Sequence, residues 1–224
     1  MPTAELTFKE LADVKLEINT FIDLEFDNIG ELDKNNLKFI LKKVVFLKYL
    51  IRQDAQFFLF QALSSDIIYL ISSIKKGEVR YYYFNIRSII EHSLRIINNI
   101  DSTDTITNAN LIKKTQKLLD DSKAKINLDV VKNEYNTSCL YIHGNKSADL
   151  QLVKFYQNCV EQKGPIKDLT KKLNVLIKLF KELFELLIIT QCSIVDAAYH
   201  RRKSILKFLI GNESYSIFEQ FKKE

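Results

Sequence analysis

Apolar residues recur at three- and four-residue spacings along most of the chain, which predicts amphipathic α-helices. The first such pattern predicts a helix over residues 4–27, and a second runs from Asp33 to about Arg52. Residues 53–76 are apolar nearly all round, as in a central buried helix, and Gly77 is expected to end that helix. The second helix is expected to carry five lysines on its outer face: Lys34, Lys38, Lys42, Lys43 and Lys48.

The second half of the chain continues the helical pattern with more interruptions. A helix is predicted over Glu78–Ile100, followed by a loop at 101–110, where Ser, Thr, Asp and Asn cluster. Pro165 is predicted to open a long helix that reaches about Arg202 along a seam of leucines. The shorter predicted elements are a helix over Leu111–Ser122, a helical or irregular segment over 126–143, a helix over Gln151–Gln162, and a short helix over Ser204–Phe221 interrupted at Gly211–Asn212.

The composition excludes a turn-rich β architecture. The 224 residues include only five glycines and two prolines, whereas a β-sandwich or barrel needs a turn roughly every 8–12 residues. We therefore predict an all-α fold, a bundle of about seven to nine helices with a long C-terminal helix. We expect a single domain over 1–224, in which 1–52 is a candidate N-terminal helical hairpin packed on the rest.

Charge and cysteine usage indicate a cytoplasmic protein. Lys and Arg number 33 against 28 Asp and Glu, a net charge of +5 that permits a nucleic-acid partner without requiring one. The first residues are acidic and amphipathic, unlike a secretory signal, and no uncharged stretch approaches the ~20 residues of a membrane span. The three cysteines lack metal-like spacing and are expected to be reduced and buried: Cys139, Cys159 and Cys192.

Candidate chemistry depends on histidines, since the chain has no phosphate-binding loop, dinucleotide motif, nucleophile elbow or Cys-x-x-Cys pair. The first group lies in the helix over Glu78–Ile100, where His92 follows a ladder of charges. Arg87, Glu91 and Arg95 are spaced four apart and share one helix face among isoleucines. That spacing alone favours a structural ion-pair network, because partly buried charges must be paired.

Two further histidines lie near expected helix ends. His143 precedes Gly144, so it is either a cationic residue at a helix C-terminus or a general acid/base or phosphate ligand. His200 precedes a basic run, and helix capping is the favoured interpretation. The functional alternative for His200 is an RNA-backbone patch with Tyr199 as a stacking surface.

Two segments together resemble the HEPN superfamily, small helical proteins of bacterial toxin–antitoxin and phage-defence systems. Arg87-Ser-Ile-Ile-Glu-His92 fits the Arg-x4-His pattern of that superfamily. The segment Tyr135-Asn-Thr-Ser-Cys-Leu-Tyr-Ile-His143-Gly looks like a signature of defence-associated members. The resemblance covers about residues 78–146.

The resemblance implies a helical homodimer that cuts RNA without a metal or other cofactor, as a toxin or in antiviral defence. A histidine acts as general acid/base and an arginine neutralises the scissile phosphate in such chemistry. An antitoxin or sensor protein is a further candidate partner, and the short uncharged stretches predict no membrane association. Carried onto this chain, Arg87 is the phosphate ligand and His92 the acid/base. The candidate RNA-binding residues are Arg80, Tyr83, Arg95, Asn145 and Lys146.

Three alternatives stay open at this point. Residues five apart on a helix differ by roughly 140° in direction, so Arg87 and His92 converge only in a distorted helix or across a dimer. The other candidate site is Arg87, Glu91 and His143, without His92. The second alternative is that the chain is a non-catalytic HEPN-like module that binds RNA, a nucleotide or a protein partner. The third alternative is a structural dimer built on the leucine seam of the C-terminal helix.

Overall fold

The computed structural model describes residues 4–51, 57–101, 103–120, 126–142 and 164–222. Within these ranges the chain forms ten α-helices and no strand, which confirms the all-α class and exceeds the predicted seven to nine helices by one. The predicted helix over 151–162 lies outside the described residues. The helices are α1 (Ala4–Glu25), α2 (Glu31–Leu50), α3 (Phe57–Lys76), α4 (Val79–Ile97), α5 (Asn108–Asp120), α6 (Asp129–Ile142), α7 (Leu169–Thr190), α8 (Cys192–Ala198), α9 (Lys203–Ile210) and α10 (Asn212–Phe221).

Sharp turns at both ends of α4 fix its position in the bundle. Gly77, at φ 71°, ends α3, and the amide of Glu78 donates to the carbonyl of Ser73. Asn99, at φ 51°, ends α4 in the same way, and the amide of Ile100 donates to the carbonyl of Arg95. Both are left-handed helix-ending turns, in which Gly and Asn are the preferred residues. The predicted break at Gly77 is therefore confirmed, and it folds α3 and α4 into a hairpin.

The core is built around α7, which packs against α2, α4, α6 and α10. Its inward face consists of large apolar side chains spaced at helical intervals, so that α7 buries a continuous stripe. Phe180 and Phe184 stack on each other, and Phe184 meets Phe46 of α2 edge to face. The carboxylate of Glu182 accepts a hydrogen bond from the amide of Val131 at 3.3 Å, which ties the first turn of α6 to α7. The fully buried side chains of α7 include Leu173, Leu176, Leu179, Leu183 and Leu186.

The predicted helix from Pro165 to about Arg202 is wrong at both ends. Asp168 takes a left-handed conformation at φ 55°, so α7 begins only at Leu169. At its other end the buried side chain of Gln191 turns inward and donates to the carbonyl of Ile96 at 2.8 Å. The chain therefore breaks after Thr190 and continues as the short helix α8.

Two polar side chains are buried where the sequence suggested exposure. Lys43 was expected on the outer face of α2, yet it is 2% exposed and its ammonium lies 4.6 Å from the ring centroid of Phe39. Tyr199 was considered as an RNA-stacking surface, yet it is fully buried and donates to the carbonyl of Phe46 at 3.0 Å. In both cases the long side chain reaches into the core and satisfies its polar end there.

The structure also bears on the predictions about membrane spans and cysteines. None of the helices in the described ranges has the length and apolar character to cross a membrane. Cys139 and Cys192 are free thiols, as expected, but they are half-buried rather than buried. Cys159 lies outside the described residues.

Candidate active site

The candidate site is centred on α4, which packs against α3 on one side and against α5 and α6 on another. Its residues therefore divide into two groups according to which neighbouring helix they contact. His92 and Ser88 are four residues apart and contact α3. Arg87 and Glu91 are also four apart and contact α6 and α5 respectively.

His92 is paired with a carboxylate on α3. Its Nδ1 lies 2.7 Å from Oδ2 of Asp66, and the same oxygen accepts a hydrogen bond from the Ser88 hydroxyl at 2.6 Å. The side chains of His92 and Asp66 are 24% and 18% exposed, so the pair is sheltered and still open to solvent. We call these three residues the Asp66–His92 cluster.

The cluster fixes which nitrogen of His92 is available for proton transfer. A carboxylate accepts hydrogen bonds and does not donate them, so Nδ1 of His92 carries the hydrogen that points at Asp66. No other described side chain or carbonyl bonds to the His92 ring. Nε2 is therefore the nitrogen that can take up or release a proton, in an orientation that Asp66 holds.

Arg87 contacts a different helix from His92. Its guanidinium carbon lies 5.9 Å from the ring centroid of Tyr135 on α6, within the range of a cation–π contact. Burial raises the pKa of the Tyr135 phenol, which keeps the ring neutral beside the arginine. Within one chain, then, Arg87 is directed toward α6 and His92 toward α3, in agreement with their angular separation on a regular helix.

Glu91 and Arg95 form a structural ladder. Nε of Arg95 lies 3.2 Å from Oε1 of Glu91, and the Asn108 amide donates to Oε2 of Glu91 at 2.9 Å. Arg95 is buried, and its guanidinium also donates to the carbonyls of Asp101 and Asp104 at 2.9–3.2 Å. These contacts connect α4 to the loop before α5, and they occupy Arg95 inside the chain.

The first turns of α4 carry the two other RNA-binding candidates on described residues. Tyr83 is buried and stacks on Tyr141 of α6, with ring centroids 3.8 Å apart. Its hydroxyl accepts a hydrogen bond from Lys172 of α7 at 3.4 Å, and burial raises the pKa of this phenol above its usual range. Arg80, by contrast, is exposed. Of these two residues, only Arg80 presents its side chain to solvent.

His143, Asn145 and Lys146 lie outside the described residues. The alternative site of Arg87, Glu91 and His143 therefore stays a prediction. His200 is exposed and follows the end of α8. In the described part of the chain, no three His, Cys, Asp or Glu side chains converge as a metal-binding group.

Sequence reasoning missed Asp66, the residue that orients His92. A signal for it existed, because Asp66 is the one acidic residue of α3, whose other charges are Lys75 and Lys76 in its last turn. Large exposed aromatic side chains also lie on α3 and α4, at helical spacing from members of the cluster. Phe84 lies one helical turn before Ser88, and Tyr69 lies one turn after Asp66. Tyr81 is exposed as well, one turn before Phe84.

Comparisons with protein-family models, with curated proteins and with solved structures find no match to this chain.

Proposed function

We propose that this protein is a HEPN-like, metal-independent RNA endonuclease that acts in phage defence or as a toxin. The observation that supports this proposal most is the pairing of His92 with Asp66. A carboxylate that orients an imidazole is a common arrangement for general acid/base catalysis, because it selects the tautomer and stabilises the protonated ring. The proposal also uses the Arg-x4-His resemblance, in which His92 is the catalytic histidine.

In the proposed reaction, Nε2 of His92 accepts the proton of a ribose 2′-hydroxyl. The 2′-oxygen then attacks the adjacent phosphorus, and the bond from phosphorus to the 5′-oxygen of the next nucleotide breaks. The leaving 5′-oxygen takes a proton from solvent or from a second protonated imidazole, and the product is a 2′,3′-cyclic phosphate. Asp66 holds His92 in the required orientation throughout, while an arginine neutralises the charge that develops on the phosphate.

Arg87 is the proposed phosphate ligand, and a second copy of the chain brings it to His92. Arg87 and His92 of one chain contact different helices, so a cleft that contains two copies of α4 unites the arginine of one copy with the histidine of the other. The exposed aromatic residues beside the cluster suit this arrangement. Phe84 and Tyr81 supply apolar area for a dimer contact or rings on which RNA bases stack.

The RNA-contact role is assigned to Arg80 and not to Tyr83 or Arg95. Arg80 is exposed at the start of α4, whereas Tyr83 and Arg95 are buried by contacts within the chain. A phosphate contact from an exposed arginine adds affinity without sequence preference.

The test is incubation of purified protein with total RNA and with tRNA in EDTA. We expect cleavage by the wild type, loss of cleavage in His92→Ala and Arg87→Ala, and full cleavage in His200→Ala, which removes an exposed histidine elsewhere. Absence of cleavage by the wild type, or equal cleavage by His92→Ala, would refute the proposal. Light scattering adds a second criterion, because a strict monomer would not form the shared cleft.

A non-catalytic HEPN-like binding module is the second candidate. The Glu91–Arg95 ladder favours it, since these charges connect α4 to the following loop and leave Arg95 no surface for a substrate. This candidate predicts RNA binding by gel shift without cleavage, and binding that His92→Ala leaves unchanged. The two candidates are therefore separated by the same set of variants.

A further inference from the structure

A cavity of about 370 Å³ lies between α1, α2 and α9, helices that contribute no residue to the Asp66–His92 cluster. Its volume falls within the range of small-molecule sites, roughly 300–1,000 Å³. We call it the lysine pocket. Its lining consists of three lysines, two asparagines and three apolar side chains: Lys15, Ile18, Asn19, Asn35, Lys38, Phe39, Lys42 and Phe208.

The lining of the lysine pocket has positive charge and no carboxylate. None of its three lysines forms an ion pair with any carboxylate in the described part of the chain. Other lysines of the same helix do, because Lys34 pairs with Glu31 at 3.7 Å and Lys48 pairs with Glu17 at 3.4 Å. Of the α2 lysines without a carboxylate partner in the described ranges, Lys38 and Lys42 line the cavity and Lys43 is buried in the core.

Two of the three ammonium groups lie near one aromatic ring. Nζ of Lys42 lies 4.1 Å from the ring centroid of Phe208, and Nζ of Lys15 lies 5.3 Å from the same centroid. These lysines come from α2 and α1 and are held by a ring of α9. Burial, followed by the charges of Lys15 and Lys38, lowers the pKa of Lys42. Lys42 is therefore repelled by both of the other lysines that line the cavity.

A fourth lysine contacts the lining of the pocket without being part of it. Lys43 lies in the core directly after Lys42, and its ammonium is 4.6 Å from the ring centroid of Phe39, a residue that lines the pocket. Converging cations in a sheltered concave site attract and retain an anion, because the surrounding protein screens their charge less than water does.

We propose that the lysine pocket binds a small ligand with at least two phosphate groups, such as a nucleoside polyphosphate or an inorganic polyphosphate. Lysine ammonium groups are strong point-charge ligands for phosphate. The positive charge of three ammonium groups balances the negative charge of a diphosphate better than that of a single carboxylate. The side-chain amides of Asn19 and Asn35, which also line the pocket, offer further hydrogen-bond donors. This proposal is independent of the proposed ribonuclease activity.

The experiment is calorimetric titration of the full chain at constant ionic strength with four probes: pyrophosphate, ATP without magnesium, inorganic phosphate, and a single-stranded oligodeoxynucleotide with no terminal phosphate. We expect pyrophosphate or ATP to bind once per chain and at least about tenfold more tightly than inorganic phosphate. Equal affinity for pyrophosphate and ATP identifies a ligand recognised by its phosphates alone. Tighter binding of ATP identifies a nucleotide.

Matched variants distinguish the pocket from general surface charge. Lys38→Gln and Lys42→Gln are expected to weaken pyrophosphate or ATP binding about tenfold each, because each removes one charged contact. Lys48→Gln removes the same charge from the same helix outside the pocket and is expected to change the affinity less than about twofold. Lys15→Gln, an exposed position on α1, gives a further variant that leaves the core intact.

Three results would overturn the proposal. The first is no saturable binding of pyrophosphate or ATP by the wild type. The second is unchanged affinity in Lys38→Gln and Lys15→Gln proteins whose circular dichroism matches the wild type. The third is pocket-dependent binding of the oligonucleotide without binding of pyrophosphate or ATP, which would make the site a nucleic-acid groove.

Discussion

Replacement of Arg95 by alanine tests the structural role of the charged ladder on α4. Arg95 donates to Glu91 at 3.2 Å and to the carbonyls of Asp101 and Asp104 at 2.9–3.2 Å. A hydrogen bond from a charged group contributes about 1.5–3 kcal/mol. These bonds share one side chain, and Glu91 is one-third exposed, so their contributions do not simply add.

We expect Arg95→Ala to lower the free energy of unfolding by about 3 kcal/mol, the value of one to two hydrogen bonds from a charged group. For a chain of this size that corresponds to a fall in Tm of about 6–12 °C. Thermal unfolding followed by circular dichroism measures the change, and Arg80→Ala is the matched control, since Arg80 is exposed on the same helix. A fall of less than about 2 °C in Arg95→Ala, or an equal fall in both variants, would refute this account.

Other predictions concern the buried polar side chains of the core. Burial lowers the pKa of Lys43 to about 7. Between that pH and about 10 the unfolded chain binds this proton and the folded chain does not, so stability rises with pH. Lys43→Met is expected to reduce that rise in stability by up to about 1.4 kcal/mol per pH unit. Urea unfolding at several pH values measures it, and the same dependence of unfolding free energy on pH in the variant and the wild type would contradict the prediction. Tyr199→Phe removes the bond to the Phe46 carbonyl and is expected to cost about 1 kcal/mol, measured by thermal unfolding. An unchanged Tm would show that this bond does not contribute.

The helical architecture could be predicted because its signals are local. The period of apolar residues and the positions of Gly77 and Gly211 identified helices and their breaks from neighbouring residues alone. The break after Thr190 could not be found in this way, because it depends on hydrogen bonds from Gln191 to the distant end of α4. The helical spacing of apolar residues continues past Thr190, so the sequence pattern predicts no break there.

The candidate site was predictable only along α4. The ion pair between Glu91 and Arg95 could be predicted from their four-residue spacing on one helix, and the structure contains it. Asp66 is 26 residues from His92 in sequence, and only the α3–α4 hairpin brings the two together. The burial of Lys43 likewise depends on the rings of Phe39 and Phe184 and on the carbonyl of Leu209, a residue far along the chain.

The measurement that tests the central claim most directly is the single-turnover rate of RNA cleavage in EDTA for the wild type, His92→Ala, Asp66→Asn and His200→Ala. If His92 is the acid/base and Asp66 orients it, His92→Ala reduces the rate by about 10²–10⁴-fold and Asp66→Asn by at least about tenfold, while His200→Ala keeps the wild-type rate. A wild-type rate in either His92→Ala or Asp66→Asn, with both proteins folded, would contradict the assignment of this cluster as the active site.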